Sequence, residues 1–217
     1  MNLDFSALNG YWSYFVDGAW LTLRLSVLGV LFGTFFGVLL ALVRLSRIWV
    51  LKFLAVTYIE IIRGTPMLVQ ILIIYYALPT VGINLPAFVA GVVALTINSA
   101  AYMAEVFRAG IQAIDKGQTE AARSLGMSRG MTMRLIVLPQ AFRNMLPAIG
   151  NELIVIIKDS SLISVVGLAE LLYNARTIQG VTFRSFEPLL VAGGIYFIMT
   201  FTLSRLLILL ERRMGQR

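Results

Sequence analysis

An all-α, polytopic membrane fold is what this sequence predicts, on three observations. Of its 217 residues, 59% are hydrophobic and only 13% are charged. The mean hydropathy is +0.84. The apolar residues are gathered into long runs parted by shorter stretches rich in Lys and Arg. A water-soluble domain of this size would need an outsized core to hide so much apolar surface, whereas a bilayer accepts it directly. In lipid a helix satisfies its own backbone hydrogen bonds, and about 20 apolar residues cross a hydrocarbon core of about 30 Å.

Five segments meet that requirement. The first, about 22–43, carries Gly29, Gly33, Gly37 and Ala41 at four-residue spacing, which puts small residues on one helix face where another backbone packs closely. The second, about 48–78, is the least regular. Arg63-Gly64-Thr65-Pro66 interrupts it, and an internal Pro removes a hydrogen bond and crowds the turn before it; its first half is alternatively an amphipathic elbow at the interface. The third covers about 86–110. The fourth, about 135–157, contains Pro139 and Pro147, which predict bends with freed carbonyls of the kind tolerated where a helix is buried or faces water. The fifth covers about 188–210. Residues 1–217 read as one domain, without linker, repeat or low-complexity segment.

Two connections are long. The inner one, about 111–134, predicts a short helix outside the membrane, with Thr119 as cap, Glu120 in the first turn and Gly126 as stop. The outer one contains SLISVVGLAELL, too short to cross, which predicts a short helix lying partway into the outer leaflet.

Orientation follows from the basic residues. With the N-terminus outside, the inner face receives Arg44, Arg47, Lys52, Arg108, Lys116, Arg123, Arg129, Arg134, Arg212, Arg213 and Arg217, against Lys158, Arg176 and Arg184 outside. Arg24, Arg63, Arg143 and Arg205 sit in or beside apolar runs and are expected to reach an interface along their long side chains. Glu60 with Arg63, and Glu105 with Arg108, are spaced to pair on one helix face. The first 17 residues carry Asp4 and Asp17 but no Lys or Arg, so the first apolar run is expected to stay as an anchor rather than leave as a signal peptide.

Several function classes fall away. The net charge of +7 lies mostly in turns between apolar runs, which argues against a nucleic-acid partner. With no Cys and no His, the usual zinc and haem ligands, a Cys nucleophile and disulfides are excluded, and no metal site is predicted. Lys158 beside Ser160 and Ser161 is all that suggests a Ser-Lys hydrolase, with no motif around it. The G-x-x-x-x-G-K-[ST] phosphate loop is absent, so this chain does not bind ATP by that route.

A polar path is the remaining theme. PAIGNELIVIIKDSS places Asn151, Glu152, Lys158, Asp159 and Ser160 at the end of the fourth span, and Gln70 and Asn98 stand in other spans. A charge at the bilayer centre costs roughly 2.5–3.5 kcal/mol on lenient scales, so Glu152 stands out. Taken singly, each of these residues also suits the blander role of fastening helices together.

The inner loop carries Glu120-Ala121-Ala122, Gly126 after three residues, and Ile136, Leu138 and Pro139 after nine more. This spacing, E-A-A-x3-G-x9-I-x-L-P, resembles the EAA loop of ATP-binding-cassette (ABC) importer permeases. TLRLS, RGTPMLVQ, AYMAEVFRAGIQAIDKGQTEAARSLG and KDSSLISVVGLAEL look like blocks of the polar amino acid uptake branch of that family. The resemblance implies a five-span permease in a bacterial cytoplasmic membrane, with the N-terminus outside. It would work as a pair of permease subunits with two ABC ATPase subunits and an extracytoplasmic solute-binding protein. Gln118, Glu120, Ala121, Ala122 and Gly126 would form the coupling helix that docks on the ATPase. ATP and Mg would be bound by that partner, with no cofactor on this chain and no catalysis by it. The residues Gln70, Asn98, Asn151, Glu152, Lys158, Asp159 and Ser160 are the candidate substrate path, and Glu152 and Asp159 predict a polar or basic amino acid: arginine, lysine, histidine or glutamine. The alternative is a secondary transporter driven by an ion gradient, which would use broken helices and buried carboxylates but not the coupling loop.

Overall fold

The computed structural model describes residues 3–213, so Arg217 of the inner basic set lies outside the described residues. Those residues form helices and turns throughout: α1 Trp12–Arg44, α2 Trp49–Gly64, α3 Met67–Leu72, α4 Ala87–Gln112, α5 Lys116–Ser124, α6 Arg129–Thr132, α7 Leu138–Asp159, α8 Leu171–Thr182 and α9 Glu187–Arg213. Helix α1 has 33 residues rather than the predicted 22 or so. It starts at Trp12 because its first two turns, aromatic and containing Asp17, need not themselves lie in hydrocarbon. At 1.5 Å per residue it is about 50 Å long, well beyond the membrane core.

The small-residue stripe of α1 packs on α4, the most extensive helix pair in the structure. A Cβ built on Gly29, Gly33 or Gly37 would meet Leu95, Ser99 or Met103 at 2.7, 2.5 and 2.5 Å, and Ala41 is buried. Around this contact Leu25, Leu95, Ile71, Ile156 and Ile163 form the central core. Arg44 at the C-terminal end of α1 pairs with Glu105 of α4, which also pairs with Arg108. Among the described residues no ion pair joins Glu60 to Arg63; the Arg63 guanidinium lies 5.4 Å from the Tyr102 ring centre, as Arg24 and Arg205 lie over Phe88 and Phe201. Cations over ring faces keep their charge partly compensated without an acid.

The second predicted span is not one helix. Helix α2 ends at Gly64, Thr65 and Pro66 are extended, and α2 meets the segment Met67–Val81 at 108°. That segment loosens into a π turn, Ile73–Ala77, before Pro79; likewise the π turn Met133–Val137 joins α6 to α7 just before Pro139. A proline leaves the carbonyl four residues back without a donor and presses its ring on it, and the wider π turn relieves both.

Among the described residues, α1, α4 and α9 are long and apolar enough to cross a membrane, and the bent pair makes a fourth if counted as one span. Helix α7 does not qualify, because Gln140, Arg143, Asn144, Asn151 and Glu152 dilute its apolar character.

The run SLISVVGLAELL, predicted as one short helix, divides in two. Ser160–Val166 is a 3-10 turn ended by Gly167 at φ 80°, and Glu170 then caps α8. The Glu170 carboxylate is fully buried and accepts from the Leu172 and Tyr173 amides at 3.0 and 2.7 Å, the Tyr196 hydroxyl at 2.7 Å and the Thr22 hydroxyl at 3.4 Å. Burial pushes this carboxyl above the usual carboxylate range while the four donors pull against it. It fastens α1, α8 and α9 together.

Candidate functional site

The break after α2 opens backbone carbonyls, and one side chain repairs it. Gln70 Nε2 donates to the Ile62 and Thr65 carbonyls at 2.8 and 3.1 Å and to Thr65 Oγ1 at 3.0 Å, and its Oε1 accepts from Asn98 Nδ2 at 3.0 Å. The opened turn therefore stays fixed against α4.

Beside it lies a cavity of about 300 Å³ lined by Thr65, Pro66 and Met67 from the break, Asn98 and Tyr102 from α4, and Glu152, Val155 and Asp159 from α7. The α4 pair is four apart, and the α7 residues are three and four apart, so each set shares a helix face. The volume is at the lower end of the roughly 300–1,000 Å³ usual for small-molecule sites. Its lining holds two carboxylates and no Lys or Arg. Asn98 spends one of its two amide hydrogens on Gln70, and its carbonyl oxygen has no partner among the described residues.

Of the candidate path residues, the cavity gathers Asn98, Glu152 and Asp159. Gln70 stands one layer behind it as the brace. Asn151 and Lys158 are exposed on other faces of α7, and Ser160 is buried with its hydroxyl on the Ile157 carbonyl at 2.8 Å. Thr65, Met67 and Tyr102 belong to the lining although sequence reasoning did not single them out. Tyr102 had a visible signal in its four-residue spacing from Asn98; the Thr65 and Met67 contributions depend on the direction of the bend.

In the connection between α4 and α7, α5 begins at Lys116 rather than after Thr119. Asp115 is the cap, its carboxylate accepting from the Gly117 amide at 2.6 Å, so Glu120 lies past the first turn. Gly126 ends the helix at φ 84°, with Met127 N bonded to Ala122 O at 3.1 Å and Gly126 N to Arg123 O at 3.0 Å, the paired bonds of a Schellman cap. Gln118, Glu120, Ala121 and Gly126 are exposed, whereas Ala122 is 5% exposed and faces the protein's own chain. The helix tip presents Leu125, 84% exposed, an apolar contact that the sequence reading passed over.

Residues 33–216 match the family described as binding-protein-dependent transport system inner membrane component. The chain is 41% identical to the arginine transport system permease protein ArtQ of Bacillus subtilis (strain 168), covering 99% of this chain and 98% of that one. It is 42% identical to the glutamine transport system permease protein GlnP of Escherichia coli (strain K12), covering 99% of each. A crystal structure of an amino acid ABC transporter with histidines superimposes with a TM-score of 0.95 at 52% identity, over 98% of this chain and 100% of that chain. An inward-facing MetNI methionine ABC transporter shares the fold, at a TM-score of 0.79 and 21% identity over 95% of this chain and 98% of the other. With a described bundle whose helices suit a membrane and a family match across most of its length, the chain belongs to the binding-protein-dependent transport system inner membrane components, the permease subunits of ABC importers whose ATP hydrolysis is done by a separate ATPase.

Proposed function

We propose that this permease imports a polar amino acid, basic arginine or lysine before histidine or glutamine, through the cavity between the α2–α3 break, α4 and α7. The observation that carries the proposal is the acid-only lining: Glu152 and Asp159 with no cationic side chain among the lining residues. A cationic side chain needs a countercharge, and an ammonium needs acceptors such as the free Asn98 carbonyl. A relative named for arginine transport supports the basic class, and one named for glutamine transport supports the wider polar class.

In this reading the chain crosses a bacterial cytoplasmic membrane five times. The bent pair α2–α3 and the polar α7 make two of the crossings, with the N-terminus outside. A second permease subunit, identical or closely related, completes the path, and a solute-binding protein delivers the cargo. Helix α5 is the lever: Gln118, Glu120, Ala121 and Gly126 meet the ATPase, and Ala122 ties the lever to the chain that runs into α7. Closure of the ATP-loaded partner moves α5, the α6–α7 unit follows as one body, and the cavity's α7 wall shifts against the fixed break. The test is reconstitution with the co-purifying ATPase and binding protein, scanning amino acids for stimulated hydrolysis. Arginine and lysine should stimulate most; an equal response to glutamate or leucine would overturn the substrate class.

A further inference from the structure

A cavity of about 560 Å³ lies between α1, α2 and α4 and shares no lining residue with the candidate substrate cavity. Its walls include Phe36 and Val43 of α1, Tyr58 of α2, and Val93, Thr96 and Ile97 of α4, and none of the lining residues is charged. The two polar groups on the wall are withdrawn from it. The Tyr58 hydroxyl donates to the Ile97 carbonyl at 2.8 Å, which pins α2 to α4, and the Thr96 hydroxyl oxygen is covered. On the α1 side Phe32, Phe36 and Leu39 are 43, 46 and 44% exposed, so the space opens outward from the bundle. Water would find no hydrogen-bond partners there, whereas a hydrocarbon chain would, by its chemistry, fill it. The volume lies within the roughly 300–1,000 Å³ of small-molecule sites.

One end of this apolar space is cationic. The turn that joins α1 to α2 carries Arg47, four residues beyond Val43, and α2 carries Lys52, six residues or about 9 Å of helix before Tyr58. Both side chains are exposed, and neither has an ion-pair partner among the described residues. No Asp or Glu occurs in residues 18–59, and the nearby Glu105 is already taken by Arg44 and Arg108. Trp49, 74% exposed between the two cations, has the amphipathic ring that settles at the headgroup level of a bilayer.

We propose that the space between α1, α2 and α4 holds an anionic phospholipid, with an acyl chain along Phe36, Val93 and Ile97 and the headgroup phosphate on Arg47 and Lys52. The chain contributes hydrophobic burial and the phosphate neutralises two cations that the protein leaves uncompensated. Those same cations favour an anionic lipid over an apolar helix from a second copy of the chain, which would bury the cavity and leave the charges unanswered. The site stands whichever solute the permease carries.

The test is native mass spectrometry of the permease–ATPase complex in mild detergent, titrated with phosphatidylglycerol or with phosphatidylcholine of the same chain length. The wild type should retain one phosphatidylglycerol per permease chain and hold phosphatidylcholine weakly. Val93→Trp, which fills the cavity, should lose that lipid, whereas Ile198→Trp on the exposed face of α9 should keep it. The double variant Arg47→Gln, Lys52→Gln changes only exposed side chains and should lower the preference for phosphatidylglycerol about thirtyfold. Inorganic phosphate should not displace the lipid. Equal retention of the two lipids by the wild type, an unaltered preference in the double variant, or displacement by phosphate would overturn the site. So would a Val93→Trp complex that keeps its lipid, or one that sheds its second permease chain instead, which would assign the face to subunit contact.

Discussion

Asn98 Nδ2 donates to Gln70 Oε1 at 3.0 Å, while the amide nitrogen of that same glutamine serves the carbonyls opened by the Pro66 break. The pair thus joins the broken helix to α4 directly behind the candidate cavity. Gln70→Leu keeps the size but leaves these buried groups without partners, at about 1–3 kcal/mol for each unsatisfied group. The purified variant should melt several degrees lower and lose uptake. Gln70→Glu should fail similarly, because a carboxylate cannot donate to the two carbonyls.

The α1 stripe makes a second prediction about stability. A Cβ on Gly37 would lie 2.5 Å from Met103 Cβ, whereas at Gly193 and Gly194 it would meet nothing within 4 Å. Gly37→Val should abolish a monodisperse chromatographic peak, and Gly193→Ala should leave it unchanged. Equal behaviour of the two would show that α1 does not rest on α4 as described.

For the cavity, the substitutions Glu152→Gln and Asp159→Asn remove charge with little change of shape. Each should raise the concentration of arginine needed for half-maximal uptake at least tenfold, since a charge-assisted hydrogen bond is worth roughly 1.5–3 kcal/mol. Glutamine uptake should suffer less. Binding of labelled amino acid to the reconstituted complex is the direct check.

Gly126 is the one position between α4 and α7 where backbone geometry demands glycine, at φ 84°. Gly126→Asn, whose side chain tolerates the left-handed region, should retain coupling; Gly126→Val should not, because a β-branched residue resists it. Gly126→Asp adds a charge where the ATPase is expected to sit and should release that subunit while the permease remains in the membrane. Co-purification of the ATPase measures all three.

Acid should loosen the N-terminal segment in a defined sense. The Ser6 hydroxyl, then the Ser6 amide and Arg184, hold the Asp4 carboxyl below its ordinary 3.8. A depressed carboxylate contributes above its unfolded pKa and loses that contribution as pH falls through the folded value. The protection of amides near Asp4, corrected for the intrinsic pH dependence of exchange, should therefore be flat from neutral pH down to the ordinary carboxylate range and fall only below it. Arg184→Gln should raise exchange at neutral pH.

The sequence made some of this legible and hid the rest for identifiable reasons. Gly29, Gly33 and Gly37 announced a contact because a four-residue period survives any tertiary arrangement. Glu152 stood out because ionisable groups are scarce in apolar runs, and it does line the cavity. Asn151 and Lys158 share its segment, but their directions depend on the rotation of α7, which the polar stretch alone does not specify. Gln70 read as a lining residue because its partners, carbonyls eight and five residues back, exist only once Pro66 has turned the chain. Asp115 and Thr119 both suit a helix cap, and only the folded loop chose Asp115. Glu170 disappeared inside an apolar block because its donors come from three separate helices.

The central claim is that α5 faces the cytosol and is gripped there by the ATPase. The chain has no cysteine, so a single Glu120→Cys provides a unique thiol. Labelling it with a membrane-impermeant maleimide in oriented vesicles should succeed only from the cytoplasmic side, and should fall when the ATPase is bound. Labelling from the outside, or labelling indifferent to the ATPase, would contradict the account.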